Sequence, residues 1–141
     1  MSQPQNTKAW MGFVELSRAE CLELLAAKQV GRVAVTGPEG PQIYPVNYTM
    51  HRDGVLFRTA PYTQLAGLVR NAPAAFEVDD IDDFLESGWS VVVTGTATYV
   101  DDPDDLPDSR AGLPDSWAAG DRTLFVRIEP TGVTGRRVNS P

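Results

Sequence analysis

A single cysteine, Cys21, and a single histidine, His51, are all that the 141-residue chain offers of the two most versatile catalytic side chains. One cysteine excludes an internal disulfide, and a reducing, cytoplasmic setting is the matching expectation. No nucleophile is spaced to use His51 as a base, so a surface position beside a hairpin turn is its plain reading. Positive charge is also scarce. Twelve Lys and Arg against 19 Asp and Glu leave a net charge of −7, which argues against nucleic acid and against an anionic membrane surface as partners. No run approaches the ~20 apolar residues of a membrane span, and Met1 to Asn6 lack the apolar segment of a secretory signal. There is no internal repeat and no metal-ligand spacing. The acidic series Asp79, Asp80, Asp82, Asp83 and Glu86 lacks the glycine and spacing of a calcium loop, and a solvated face is its reading.

What is present is an ordinary globular composition, 42% apolar and 22% charged, in a length suited to one domain with a sizeable core. Residues 1–11 read as a flexible arm, with Trp10 and Phe13 placed to anchor its end, and residues 12–141 as a single domain. Ser17-Arg18-Ala19-Glu20 matches a capping box with Leu16 and Cys21 as staple. Cys21, Leu22, Leu25 and Ala26 make the apolar stripe of a helix, which puts the Cys21 thiol in the role of a small hydrophobe. Gly31 suits the position just past that helix.

Short strands follow: Arg32–Thr36, Ile43–Met50, Val55–Thr59, Ala74–Val78, Ser90–Val100, Leu124–Ile128 and Gly132–Val138. Turns are signalled at Gly37–Gly40 and at Asp53-Gly54. Pro45 implies an edge, a bulge or a break in its strand, and Gly95 a bend or bulge. A short helix is expected from Thr63 to about Arg70. The segments Asp79–Glu86 and Asp101–Asp108 are expected as exposed connections, and Trp117–Gly120 as a second irregular stretch. Six or seven short strands with few helices predict a mainly β chain folded as an antiparallel barrel.

One stretch stands out chemically. Val55 to Thr59 is a strand ending in Arg58-Thr59, followed by a loop and a helix opening at Thr63-Gln64. An arginine, two hydroxyls and a helix N-terminus converge there, the groups that hold a phosphate.

Taken in order, Gly31–Ala34, Tyr44-Pro45-Val46-Asn47-Tyr48, Val55–Ala60, Ala75–Asp79, Gly88–Gly95, Trp117–Arg122, Val126–Pro130 and Thr134–Arg137 resemble the pyridoxamine 5′-phosphate oxidase-like family of flavin-binding split barrels, in its small actinobacterial branch. The resemblance spans Leu16 to Val138. It implies a split-barrel homodimer with FMN in clefts between the subunits and a small-molecule substrate. The strand from Tyr44 through Pro45, Val46 and Asn47 to Tyr48 would run along the flavin ring, with backbone groups near Val46 and Asn47 at its polar edge. Arg58, Thr59, Thr63 and Gln64 would hold the phosphate. Trp89 would lie near the ring or the interface, with Arg122.

Members include oxidases, nitro-reducing resistance proteins, deazaflavin reductases and haem-related proteins, so the function expected is a flavin-dependent oxidoreductase. An F420-dependent reductase, or a flavin- or haem-binding module without turnover, is the alternative. Relatives carry Thr-Lys-Leu where this chain has Thr63-Gln64-Leu65. Exchanging a charge-assisted for a neutral hydrogen bond removes roughly a decade of affinity at the phosphate.

Overall fold

The structure, a computed structural model, describes residues 12–117 and 123–139. The expected arm up to Met11, the residues from Ala118 to Gly120, and Arg122 lie outside the described residues. Seven antiparallel strands form one sheet in the order β1-β7-β4-β3-β2-β5-β6, and a further β6–β7 pairing closes it into a barrel. They are β1 Phe13–Glu15, β2 Val30–Gly37, β3 Gly40–His51, β4 Gly54–Thr59, β5 Ala72–Asp82, β6 Ser87–Tyr99 and β7 Leu124–Val138. Two helices, α1 Arg18–Ala26 and α2 Gln64–Leu68, and two 3-10 turns, Pro103–Asp105 and Arg110–Gly112, complete the described chain.

Helix α1 begins as its sequence dictates. Glu20 N–H donates to Ser17 Oγ at 3.1 Å and Ser17 N–H to Glu20 Oε1 at 2.9 Å, so two otherwise orphaned donors are satisfied reciprocally. Cys21 and Leu25 are fully buried, while Ala26 faces out. Gly31 is no helix cap, because it stands inside β2. A Cβ there would come within 2.2 Å of the buried Phe76 ring, so the glycine is needed for close packing.

The hairpin between β3 and β4 turns at Arg52-Asp53, one residue earlier than Asp53-Gly54. Both have positive φ, 52° and 61°, as a two-residue type I′ loop requires. The Arg127 guanidinium donates to the carbonyls of His51 and Arg52 and fills the space that any side chain at Gly54 would take.

Strands β5 and β6 run longer than expected. Asp79 to Asp82 belong to β5, and only Asp83 to Glu86 form the turn. The register shifts at Thr94/Gly95, the bulge that Gly95 signalled. The two expected C-terminal strands are one, since β7 continues through Pro130 by pairing along β6. Alternation along β6 sends Val91 and Val93 into the core, both fully buried, and Val92 outward. The core is completed by Val33, Tyr48, Phe57, Phe76 and Ile128. Among the described residues no helix is long and apolar enough to cross a membrane.

Candidate functional site

The site arises where the barrel comes apart. Strand β3 pairs with β2 along Gly40 to Asn47, but with β4 only from Tyr48↔Phe57 to His51↔Gly54. Beyond that point Arg58 and Thr59 follow β7, and β3 follows β2. The chain after β4 turns into α2, and a cleft of about 300 Å³ opens between β3 and the start of that helix.

The register decides which backbone groups face it. Tyr48 N–H donates to Gln29 O at 3.0 Å, and residue pairs of an antiparallel ladder exchange bonds alternately. Tyr44 and Val46 therefore turn their backbone groups toward β2, opposite Val33 and Gly31. Pro45 and Asn47 turn theirs away, to the side where β4 has departed. Pro45 thus forfeits no ladder bond, and the edge it implied is this one. The backbone groups offered to the cleft are those of Asn47 and Pro45. Those of Val46 are committed to β2.

Two side chains here carry polar atoms without a partner. Asn47 Oδ1 accepts from Trp117 N–H at 3.0 Å, which leaves Nδ2 as the donor presented. Asn47 Nδ2 and Tyr44 Oη are buried with no hydrogen-bond partner among the described residues. Buried polar atoms are paired in the great majority of cases, so two orphans lining one cleft fit a polar ligand.

The hydroxyls behave differently. Thr63 Oγ1 donates to Ala60 O at 2.8 Å and accepts from Ala66 N–H at 3.2 Å, capping α2. Thr59 Oγ1, in a residue 2% exposed, lies 3.0 Å from Thr63 Oγ1. With the Thr63 proton used, Thr59 is the donor of that link. In this structure both hydroxyl protons are thus used inside the protein.

Arg58 donates to Pro114 O at 3.4 Å and lies 5.2 Å above the Phe125 ring. It is the one basic side chain among the described residues that line the cleft, and Asp115 brings a carboxylate to the same walls. The N–H groups of Gln64 and Leu65, in the first turn of α2, have no intrahelical acceptor.

Seven residues singled out in the sequence meet here: Pro45, Val46, Asn47, Arg58, Thr59, Thr63 and Gln64. Tyr48 does not. Its ring is core, 2% exposed, edge-on to Phe76, and its hydroxyl donates to Leu25 O. Burial pushes that phenol well above its usual range. Trp89 lines a separate cleft with Ile81, Arg136 and Val138. Tyr44, on the strand expected along the ring, lines the cleft as well, with Leu65, Asp115 and Ser116, which the sequence did not assign to it. Leu65 stands within the Thr63-Gln64-Leu65 triplet, whereas nothing in the connection before Trp117 marked Asp115.

His51 is half-buried, not exposed, with Nε2 unpartnered among the described residues. Burial, then the charges of Arg52 and Arg127, hold its imidazole below the usual value. It does not line the cleft.

Known proteins give the arrangement its relatives. An uncharacterized protein of Mycobacterium tuberculosis, Rv0080, is 38% identical over 142 residues, covering 97% of this chain and 91% of that protein. The structure of the FAD-binding protein of Mycobacterium smegmatis matches with a TM-score of 0.72 at 35% identity, over 90% of this chain and 99% of that one. An FAD-binding protein of Mesorhizobium loti matches with a TM-score of 0.72 at 25% identity, again over 90% and 99%. The family model for pyridoxamine 5′-phosphate oxidase matches residues 17–137. With that match spanning nearly all of the barrel, the chain belongs to the pyridoxamine 5′-phosphate oxidase family.

Proposed function

We propose that this protein is a flavin-dependent oxidoreductase that holds its flavin in the cleft between β3 and α2. The observation that carries the reading is the pairing of an open strand edge with two orphaned polar atoms. Asn47 N–H and C=O, Pro45 C=O and Asn47 Nδ2 present donors and acceptors of the kind that suit the polar edge of a planar heterocycle. Tyr44 Oη adds one group that can do either. The FAD-binding relatives support a flavin as that heterocycle.

The ring system and its ribityl phosphate are common to FMN and FAD. Arg58 and the first N–H groups of α2 are the groups for that phosphate, and Gln64 contributes at most a neutral amide. The bound flavin supplies the redox chemistry, so no nucleophile–base pair is required of the protein. The chain orients the ring, satisfies its polar edge and limits the access of water.

The protein acts as a homodimer in this reading. Trp89 stands outside the cleft of its own chain, and Ile43, at 69% exposure, lies beside Pro45 on the outer side of β3. A second protomer covers that face and brings Trp89 to the ring. Sedimentation giving a stable folded monomer at micromolar concentration would refute this assembly.

The test of function is the visible spectrum of purified protein, followed by anaerobic addition of NADH or NADPH. Flavin absorbance that bleaches with a nicotinamide donor is the expected outcome. A bound flavin that no donor reduces would make the barrel a storage module, and tighter binding of F420 than of any flavin would move the protein to deazaflavin chemistry.

A further inference from the structure

One wall of the cleft belongs to neither the sheet nor an α-helix. It is the connection that leaves the 3-10 turn at Gly112 and runs to Trp117, and it gives Asp115 and Ser116 to the lining. Side chains of β3 and β4 tie it down along its length. Thr49 Oγ1 donates to Gly112 O at 2.8 Å, Arg58 to Pro114 O at 3.4 Å, and Trp117 N–H to Asn47 Oδ1 at 3.0 Å. Pro114 is buried, whereas Asp115, Ser116 and Trp117 are exposed. The outer part of this wall is thus a lip held by polar ties and not by apolar burial.

Two of those ties end on Arg58 and Asn47, side chains that also line the cleft. The amide that accepts from Trp117 has its Nδ2 buried and unpaired among the described residues, and so has Tyr44 Oη on the same strand. A buried polar atom without a partner is penalised by its lost hydration. With the lip released, water reaches such atoms; with the lip closed over a polar ligand, the ligand pairs them. The penalty falls only on closure without a ligand, and that is the differential interaction a population shift requires.

We propose that Leu113–Trp117 is a strap gated by the ligand, released from β3 in the free protein and latched by Trp117 N–H on Asn47 once a ligand is bound. This rests on the flavin reading above and adds how the site closes. The Arg58 tie is long for a hydrogen bond, so the guanidinium turns to a phosphate at little cost to the strap. Closure over the ring also serves the exclusion of water, as lids do in other enzymes.

The test uses flavin-stripped full-length protein with riboflavin and FMN. Amide exchange across Leu113–Trp117 should slow at least about tenfold when riboflavin saturates the protein, while the core strands stay unchanged. Trp117→Pro deletes the latching N–H, and Trp117→Ala keeps it. The proline variant should release both flavins about fivefold faster, the worth of one neutral hydrogen bond, and the alanine variant should stay within about twofold of wild type. Thr49→Val, which cuts the tie at Gly112 from outside the cleft, should repeat the proline pattern. Because the strap is released in the free protein, these variants should leave the ligand-free melting temperature unchanged and reduce only its rise on binding.

Exchange that riboflavin does not slow, or a ligand-free melting temperature lowered as much as the loaded one, makes the segment a fixed wall. Either result overturns the strap and leaves the flavin reading standing, as does equal loss in the alanine and proline variants. Failure of both flavins to bind wild type overturns both.

Discussion

Removing the Arg58 guanidinium separates its grip on a phosphate from its role in the fold. In the structure Arg58 reaches Pro114 O at 3.4 Å, long for a good hydrogen bond, and stacks 5.2 Å over Phe125. The stacking is worth about 0.5–1 kcal/mol at a partly exposed site. Losing these contacts loosens the wall carrying Asp115 and weakens riboflavin and FMN alike by about two- to fivefold. The phosphate term comes on top. Because the protons of Thr59 and Thr63 are used internally, Arg58 carries most of it, about 1.5–3 kcal/mol for charge-assisted bonds. Arg58→Ala should therefore weaken FMN by a further one to two decades.

Gln64→Lys should act in the opposite direction and tighten FMN by about tenfold with riboflavin unchanged. Both phosphate effects should shrink as salt rises, being partly Coulombic. Thr59→Val, which removes a hydroxyl that has no spare proton, should alter FMN affinity little. The assay is fluorescence titration of FMN and riboflavin at two ionic strengths. Equal losses for both ligands in Arg58→Ala would mean that the arginine only braces the loop. A strong loss in Thr59→Val would refute the proton count.

Cys21→Ala should cost about 1 kcal/mol, as a small deletion from the core, and leave flavin binding unchanged. The native thiol, fully buried and with burial raising its pKa, should resist thiol reagents until the protein is unfolded. Gly31→Ala should destabilise by about 3 kcal/mol or more, because its Cβ would meet the Phe76 ring at 2.2 Å and Glu77 O at 2.9 Å, with no room to yield; an unchanged melting temperature would refute that packing. Burial, and next the hydrogen bond with Asp79, push Glu77 up to about 7. A carboxyl raised in the folded state binds its proton more tightly there, so it favours folding at low pH and loses that contribution between about 4.5 and 7. Glu77→Gln should thus flatten the fall in melting temperature across that window, and identical pH profiles for wild type and variant would count against the raised Glu77 carboxyl.

The elements whose causes are local were legible in the chain. The capping box at Ser17–Glu20, the Gly95 bulge and the hairpin near Asp53 each depend on a few neighbouring residues and on backbone preferences that sequence displays directly. Pro45 announced an edge, but only the register showed which side of β3 is open, since that follows from Tyr48 bonding to Gln29 and from β4 leaving for β7. The segments that meet in the cleft were recognised from their order and from Arg58-Thr59 before Thr63, because residue type alone limits what can bind an anion. Proton direction could not be read that way. Thr59 and Thr63 look like donors until their separation of 3.0 Å and the Ala60 carbonyl use both protons. The Tyr48 ring lies outside the cleft for a related reason. Alternation along a strand assigns a face, but which face is core and which gap a side chain enters are set by how strands close into a barrel. Asp115 and Trp117 reach the site through a connection without periodicity, so their placement beside Arg58 and Asn47 is a decision of the tertiary structure alone.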